Sequence, residues 1–245
     1  MKKKKFLSNV LVLNYIKFFF RILLFTGASV LYIISKIQQN KTLFCGLEKI
    51  PPVPFLLWFL CLLHILIRFF PHKSEDVGCQ KHFKSMYSKG KTEPEKTLAV
   101  KTFIAAVVWI IPNSVFAILY FIKVFDTGFL ILLTLAYSVC DMICILFFCP
   151  FKEWILKNKC CTTCRIYNWD RLMLVTPLIF VPHFYTCSLV ALAVLEVLIW
   201  EITYRKHPER FSEYSNTTLS CSNCKTRLCM NKKRNKTNRK QPISQ

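Results

Sequence analysis

Four long apolar stretches decide what this chain can become: "PFLLWFLCLLHILIRFF" (54–70), "TFIAAVVWIIPNSVFAILYFI" (102–122), "GFLILLTLAYSVCDMICILFFC" (128–149) and "LMLVTPLIFVPHFYTCSLVALAVLEVLIW" (172–200). Each approaches or exceeds the roughly 20 residues a helix needs to cross a bilayer. Lipid offers no partner to exposed N–H and C=O groups, so helix is the form that satisfies such a backbone within its own segment. With 53% hydrophobic residues over 245 positions, the chain reads as an all-α, polytopic helical membrane protein. The expected fold is four spanning helices, a fifth apolar re-entrant hairpin or helix, and a small cytoplasmic cysteine module.

The formal net charge of +21 does not point to nucleic acid, because the basic residues sit beside the apolar stretches, as they do in cytoplasmic loops. A signal peptide is not expected either: "MKKKK" is followed by a run broken by Lys17 and Arg21, with no small-residue cleavage site. Asn14, Lys17 and Arg21 share one face of the first segment, Phe6 to Ile34, which is either an amphipathic surface helix or a span whose basic residues snorkel. The lysine-rich loop 71–101 decides for the span, since otherwise it would face outward. Pro112 is expected to kink the third helix, and "KVFDTG" (123–128) to form a tight turn into the fourth.

Leu172 to Trp200 is the anomaly. Its 29 residues exceed one perpendicular crossing and fall short of two, which need about 40. A single crossing would export the basic tail "KKRNKTNRK" (232–240), against the positive-inside bias. The favoured reading is a broken hairpin that enters and leaves on the cytoplasmic side, with Pro177 and Pro182-His183 as breaks; a long, tilted fifth helix is the alternative. The organisation expected is a transmembrane region 1–150, a cysteine-rich module 151–230 enclosing the hairpin or fifth helix, and a basic disordered tail 231–245. Both termini are then cytoplasmic.

The thirteen cysteines are not equivalent. Those in apolar stretches read as small packing residues. Cys161-x2-Cys164 and Cys221-x2-Cys224 are two knuckle-like pairs, which can enclose Zn²⁺ as four thiolates, with Cys149, Cys160 and Cys229 as alternates. The pairs are 56 residues apart, far beyond the usual 15–20, and a membrane hairpin would have to bring them together. The function read from this pattern is structural or as an interaction platform with a zinc-stabilised module. A membrane thiol oxidoreductase and a soft-metal transporter, the latter using Cys140 and Cys144, are the rivals.

"NWDRLMLVTPLIF", "YRKHPERF" and "CSNCKTRLC" together resemble small cysteine-rich integral-membrane proteins of bacteria. The resemblance covers about the last 90 residues; it implies a bacterial-type origin and a linked module, and carries no activity. Ionisable residues within apolar stretches are costly and therefore candidates: His64, Asp141, His183 and Glu196, either as a proton or ion path or as polar ties between helices. Arg68, near the end of its helix, reads as snorkelling, and Asp170 as a helix cap. Arg205, Lys206 and Arg210 are placed to meet anionic lipid headgroups.

Overall fold

The computed structural model describes residues 9–38, 43–71, 78–90, 93, 99–158 and 160–220. Five helices within it are long and apolar enough to cross a membrane: α1 (Asn9–Ile37), α2 (Pro52–Leu66, extended by a 3-10 turn to Phe69), α3 (Ala99–Phe121), α4 (Thr127–Leu146), and, after a short α5 (Asp170–Val175), α6 (Phe184–Lys206). The chain is thus an all-α, multi-pass membrane protein. Many of its large apolar side chains point outward, among them Phe19, Leu23, Phe103 and Phe184. A soluble protein would bury such residues; a bilayer accepts them.

α1 and α4 lie antiparallel along most of their length. Leu11 packs with Met142 and Leu146 at one end, and the Tyr32 hydroxyl donates to Asp126 at the other, over 3.0 Å. Asp126 caps α4, accepting from the Phe129 N–H, and "KVFDTG" forms the expected turn, with Lys123 left-handed. Gly128 lets the helices approach, since a Cβ there would stand 2.7 Å from the Tyr32 ring.

Pro112 lies inside α3, where it can supply no N–H to the preceding turn. The next residue, Asn113, is buried; its side-chain amide donates to the Trp109 carbonyl (2.8 Å), and its oxygen accepts from the Tyr137 hydroxyl of α4. α3 runs on through Pro112 and is stitched there to its neighbour.

After α4 the chain makes a π-helical turn (Phe151–Leu156), and α5 continues into a 3-10 segment, Thr176–Phe180. Trp109 of α3 donates to Thr176, and Phe180 reaches Phe121 at the end of α3. α6 then runs back: Trp58 of α2 donates to Ser188 near its start, and Glu201 near its end accepts from Arg165 and Trp169, just before α5. Residues 165–169 and 201 thus meet at the same end of the bundle. Segments 78–90 and 207–220 close that end. Asn216, fully buried, donates to the Lys81 and Arg210 carbonyls and accepts from Thr218. Gly90 donates to the Ser215 carbonyl (2.8 Å), and its missing side chain makes that approach possible.

Candidate functional site

The charges inside the bundle form two groups. In the first, Arg21 of α1 donates to Asp141 (2.8 Å) and to the Ser138 carbonyl (2.7 Å) of α4. The second draws on α2, α5 and α6. Arg68 clasps Asp170 with both terminal nitrogens, at 2.5 and 2.8 Å, and also donates to Glu196 Oε1 at 3.2 Å. The fork of a guanidinium matches a carboxylate edge, so the bidentate pair is the stronger of the two. Next to it, Arg171 Nη2 lies 2.7 Å from His64 Nε2. A guanidinium can only donate, which makes Nε2 the acceptor and places the His64 proton on Nδ1.

The snorkelling reading of Arg68 is therefore overturned: it is 4% exposed and is shared by two carboxylates. Asp170 caps nothing through its side chain, because Trp169 holds the cap position without a side-chain bond. Its carboxylate instead carries the ion pair. Of the four intramembrane candidates, His64 and Glu196 meet in this cluster and Asp141 belongs to the α1–α4 pair. His183 is apart from both; it caps α6 through Tyr185 and Thr186.

Two cavities flank the cluster. On one side is a chamber of ≈ 350 Å³, lined by α3, α4, the π-turn and α5. Its walls are mostly apolar and thiol-bearing, including Trp109, Cys144, Phe148, Ile166 and Met173, with Asp141, Lys152 and Asp170 as its charged groups. On the other side is a cavity of ≈ 90 Å³ beside Glu196, bounded by Arg68, His82, Trp200, Thr203 and Arg210. His82 is buried against Trp200 and Phe211. Its Nε2 meets the Thr162 carbonyl at 2.9 Å, and its Nδ1 meets the Asn168 amide nitrogen at 3.3 Å. Burial lowers its pKa to about 4, with the Thr162 carbonyl pulling back and Lys81 adding to the drop. His82 is accordingly a neutral part of the packing.

The zinc reading is corrected. Among the described residues, no group of three or more His, Cys, Asp or Glu side chains is arranged to hold a metal ion. Cys164 shows why the spacing misled: it is packed with Ala105, Leu156 and Ile166, and burial pushes its thiol up to about 12. Zinc needs thiolate, and this site favours the protonated, apolar form. Cys160 bonds to Thr162 (3.1 Å), while Cys149 and Cys161 line the chamber. Cys221, Cys224 and Cys229 lie outside the described residues. Zinc as cofactor and the zinc-stabilised module as function are withdrawn.

Arg205 and Lys206 are exposed in the last turn of α6, where the helix dipole favours cations, whereas Arg210 borders the smaller cavity. Sequence reasoning missed that Arg21 pairs with Asp141 and that Arg68, Asp170 and Arg171 meet in one cluster. The signal was present only as charge count: cations in apolar stretches need anions somewhere in the same bundle. No protein-family model, curated protein or solved structure matches this chain.

Proposed function

We propose that this multi-pass protein binds a membrane amphiphile, with the apolar part of the ligand in the ≈ 350 Å³ chamber and an anionic headgroup toward Lys152. The chamber carries the proposal. Its volume falls in the range typical of ligand sites, and such sites are mostly apolar with a few convergent polar groups. Asp141 and Asp170 do not make it acidic, because Arg21 and Arg68 neutralise them. Lys152, 6% exposed and 3.4 Å from Glu153, is the cation of the chamber wall and lies toward the basic end of the bundle.

That end also supports an orientation. Lys81, Lys84, Lys89, Lys157, Arg205 and Lys206 gather there, against Lys36, Lys49 and Lys123 at the other. The bias supports a reading in which the first end, with both termini, faces the cytoplasm of a bacterial inner membrane. Asp170 to Phe180 then enters from the cytoplasmic side as a short broken helix, and α6 returns. Arg205 and Lys206 would meet anionic headgroups of the inner leaflet.

The test is the lipid complement of protein purified in mild detergent, read by native mass spectrometry. The wild type is expected to retain an anionic amphiphile. Cys144→Trp, which fills the chamber, should lose it without lowering the unfolding temperature by more than a few degrees. Lys152→Gln should retain less of the anionic species. An identical lipid complement in wild type and Cys144→Trp would sink the proposal.

A further inference from the structure

Glu196 combines three properties. It sits more than halfway along α6 and is 1% exposed. Its Oε1 accepts from Arg68, while its Oε2 is buried with no hydrogen-bond partner among the described residues. It also forms a wall of the ≈ 90 Å³ cavity. A carboxylate oxygen buried without a donor is costly, on the order of several kcal/mol in an apolar setting.

The cavity lining says what can meet that oxygen. Arg68 and Arg210 disfavour a cation there, and Glu196 disfavours an anion. Water suits both, because it donates to the carboxylate and needs two or more polar partners, which Thr203 and the arginines add. At a liquid share of about 30 Å³ each, such a space holds about three molecules. The cavity follows one face of α6 from Glu196 past Ile199 and Trp200 to Thr203, and ends at Arg210 in the segment that closes the basic end of the bundle.

We propose that Glu196 is a proton-binding site of the membrane interior, reached by water from the basic end through the cavity along α6. The step is simple: a water in the cavity delivers H⁺ to Oε2, the carboxylate becomes a carboxylic acid, and the hydroxide equivalent leaves through the same water file. The surroundings are arranged for both states. Arg68 and Arg171 balance Asp170 and Glu196 when both carboxylates are charged. When Glu196 is protonated, Arg68 keeps its bidentate hold on Asp170, the new O–H donates to water, and the cluster carries one positive charge.

The other groups around Glu196 do not compete for this proton. His64 of α2 already accepts from Arg171. His82, from the segment 78–82, uses both ring nitrogens. Glu201, further along α6, is held by Arg165 and Trp169, and Glu209 pairs with His207. Asp170 is taken by both terminal nitrogens of Arg68. Among the described residues, Glu196 is the carboxylate with an oxygen turned to the cavity and no protein donor on it.

The experiment is pH-difference infrared spectroscopy of the full chain in lipid nanodiscs. Lowering the pH should raise a carboxylic-acid C=O band that shifts in D₂O and is lost in Glu196→Gln, whose amide keeps the acceptor for Arg68. Thr203→Phe, which narrows the cavity, should retain the band and slow its D₂O shift at least tenfold. The proposal is overturned if the band is unchanged in a folded Glu196→Gln protein, or if it shifts equally fast in folded Thr203→Phe. Should Glu196→Gln fail to fold, isotope-edited spectra of ¹³C-glutamate wild type decide instead: a titrating buried glutamate band upholds the proposal, and its absence overturns it. None of these readings depends on the lipid content of the larger chamber.

Discussion

The α1–α4 pair and the α2–α5–α6 unit solve the same problem differently. Both hold arginines inside apolar helices. In the first, Arg21 has one carboxylate partner, Asp141, and a backbone carbonyl beside it. In the second, Arg68 is divided between two carboxylates drawn from two other elements. A one-to-one pair works as a tie along a long, regular seam. A divided guanidinium makes three elements depend on one side chain, and it leaves one carboxylate oxygen, Glu196 Oε2, available for other chemistry. The tie secures the bundle and borders only the larger cavity, through Asp141, whereas the shared cluster borders both.

The largest difference should appear on removing one carboxylate from the shared cluster. Asp170→Leu takes from Arg68 its bidentate carboxylate partner and from Arg171 its nearest counter-charge. Breaking a buried pair from one side costs about 3–5 kcal/mol. The variant is expected to lose most of its thermal stability in detergent, seen as aggregation by size-exclusion chromatography. Survival at wild-type stability would mean that the cluster does not bind α2 to α5.

Acid should next separate the two regions. His82 is neutral when folded, with its pKa lowered to about 4, against an ordinary 6.5. The folded form therefore binds fewer protons than the unfolded form between these values, so its contribution is complete above pH 6.5 and is lost as pH falls toward 4. At pH 5 the loss is at most about 2 kcal/mol, at 1.36 kcal/mol per unit. Hydrogen-exchange protection, corrected for the intrinsic pH dependence of amide exchange, should fall in segment 78–90 and near Trp200 as pH drops from 7 to 5, and stay level along the α1–α4 seam. His82→Gln should flatten that pH dependence.

Gly128→Ala tests the seam from the packing side. The added methyl would lie 2.7 Å from the Tyr32 ring, so Tyr32 must move and its bond to Asp126 must lengthen. Overpacking of this kind costs about 1–3 kcal/mol. The expected result is a lower unfolding temperature with the amphiphile complement unchanged, since neither Gly128 nor Tyr32 lines the chamber. A Gly128→Ala protein as stable as wild type would show that α1 and α4 are not so closely apposed.

The spans were legible in the sequence because bilayer thickness imposes a length and a polarity on any chain that crosses. The Asp126 turn was legible because turn and cap chemistry is local. What could not be read is whatever depends on closure. Arg68 looked like a snorkelling residue because its partners lie 102 and 128 residues away, and Asp170 looked like a cap because it precedes an apolar run. The cysteine pairs suggested zinc because spacing is visible and burial is not; the Cys164 environment sets its charge state, and Ala105 of α3 and Leu156 of the π-turn close that environment beside Ile166. Nothing local marks His82 or Asn216 as the fasteners of the basic end. The His82 partners, Thr162 and Asn168, and the Lys81 carbonyl that accepts from Asn216 come from segments distant in sequence.

The smallest effect is expected at the simple tie itself. Asp141→Asn keeps an oxygen within reach of Arg21, and Arg21 retains the Ser138 carbonyl at 2.7 Å, so the guanidinium is not stranded. What is lost is the charge-assisted part of one bond, about 1 kcal/mol beyond a neutral hydrogen bond. The variant should insert, fold and unfold within a few degrees of wild type. Asp141→Leu should fall further, because Arg21 then has only the carbonyl while its charge stays in the bundle. The gap between the two substitutions measures how much of this tie is hydrogen bonding and how much is charge. If Asp141→Asn proved as damaging as Asp170→Leu, Arg21 and Asp141 would belong to the shared cluster, and the division of the bundle into a tie and a working unit would have to be abandoned.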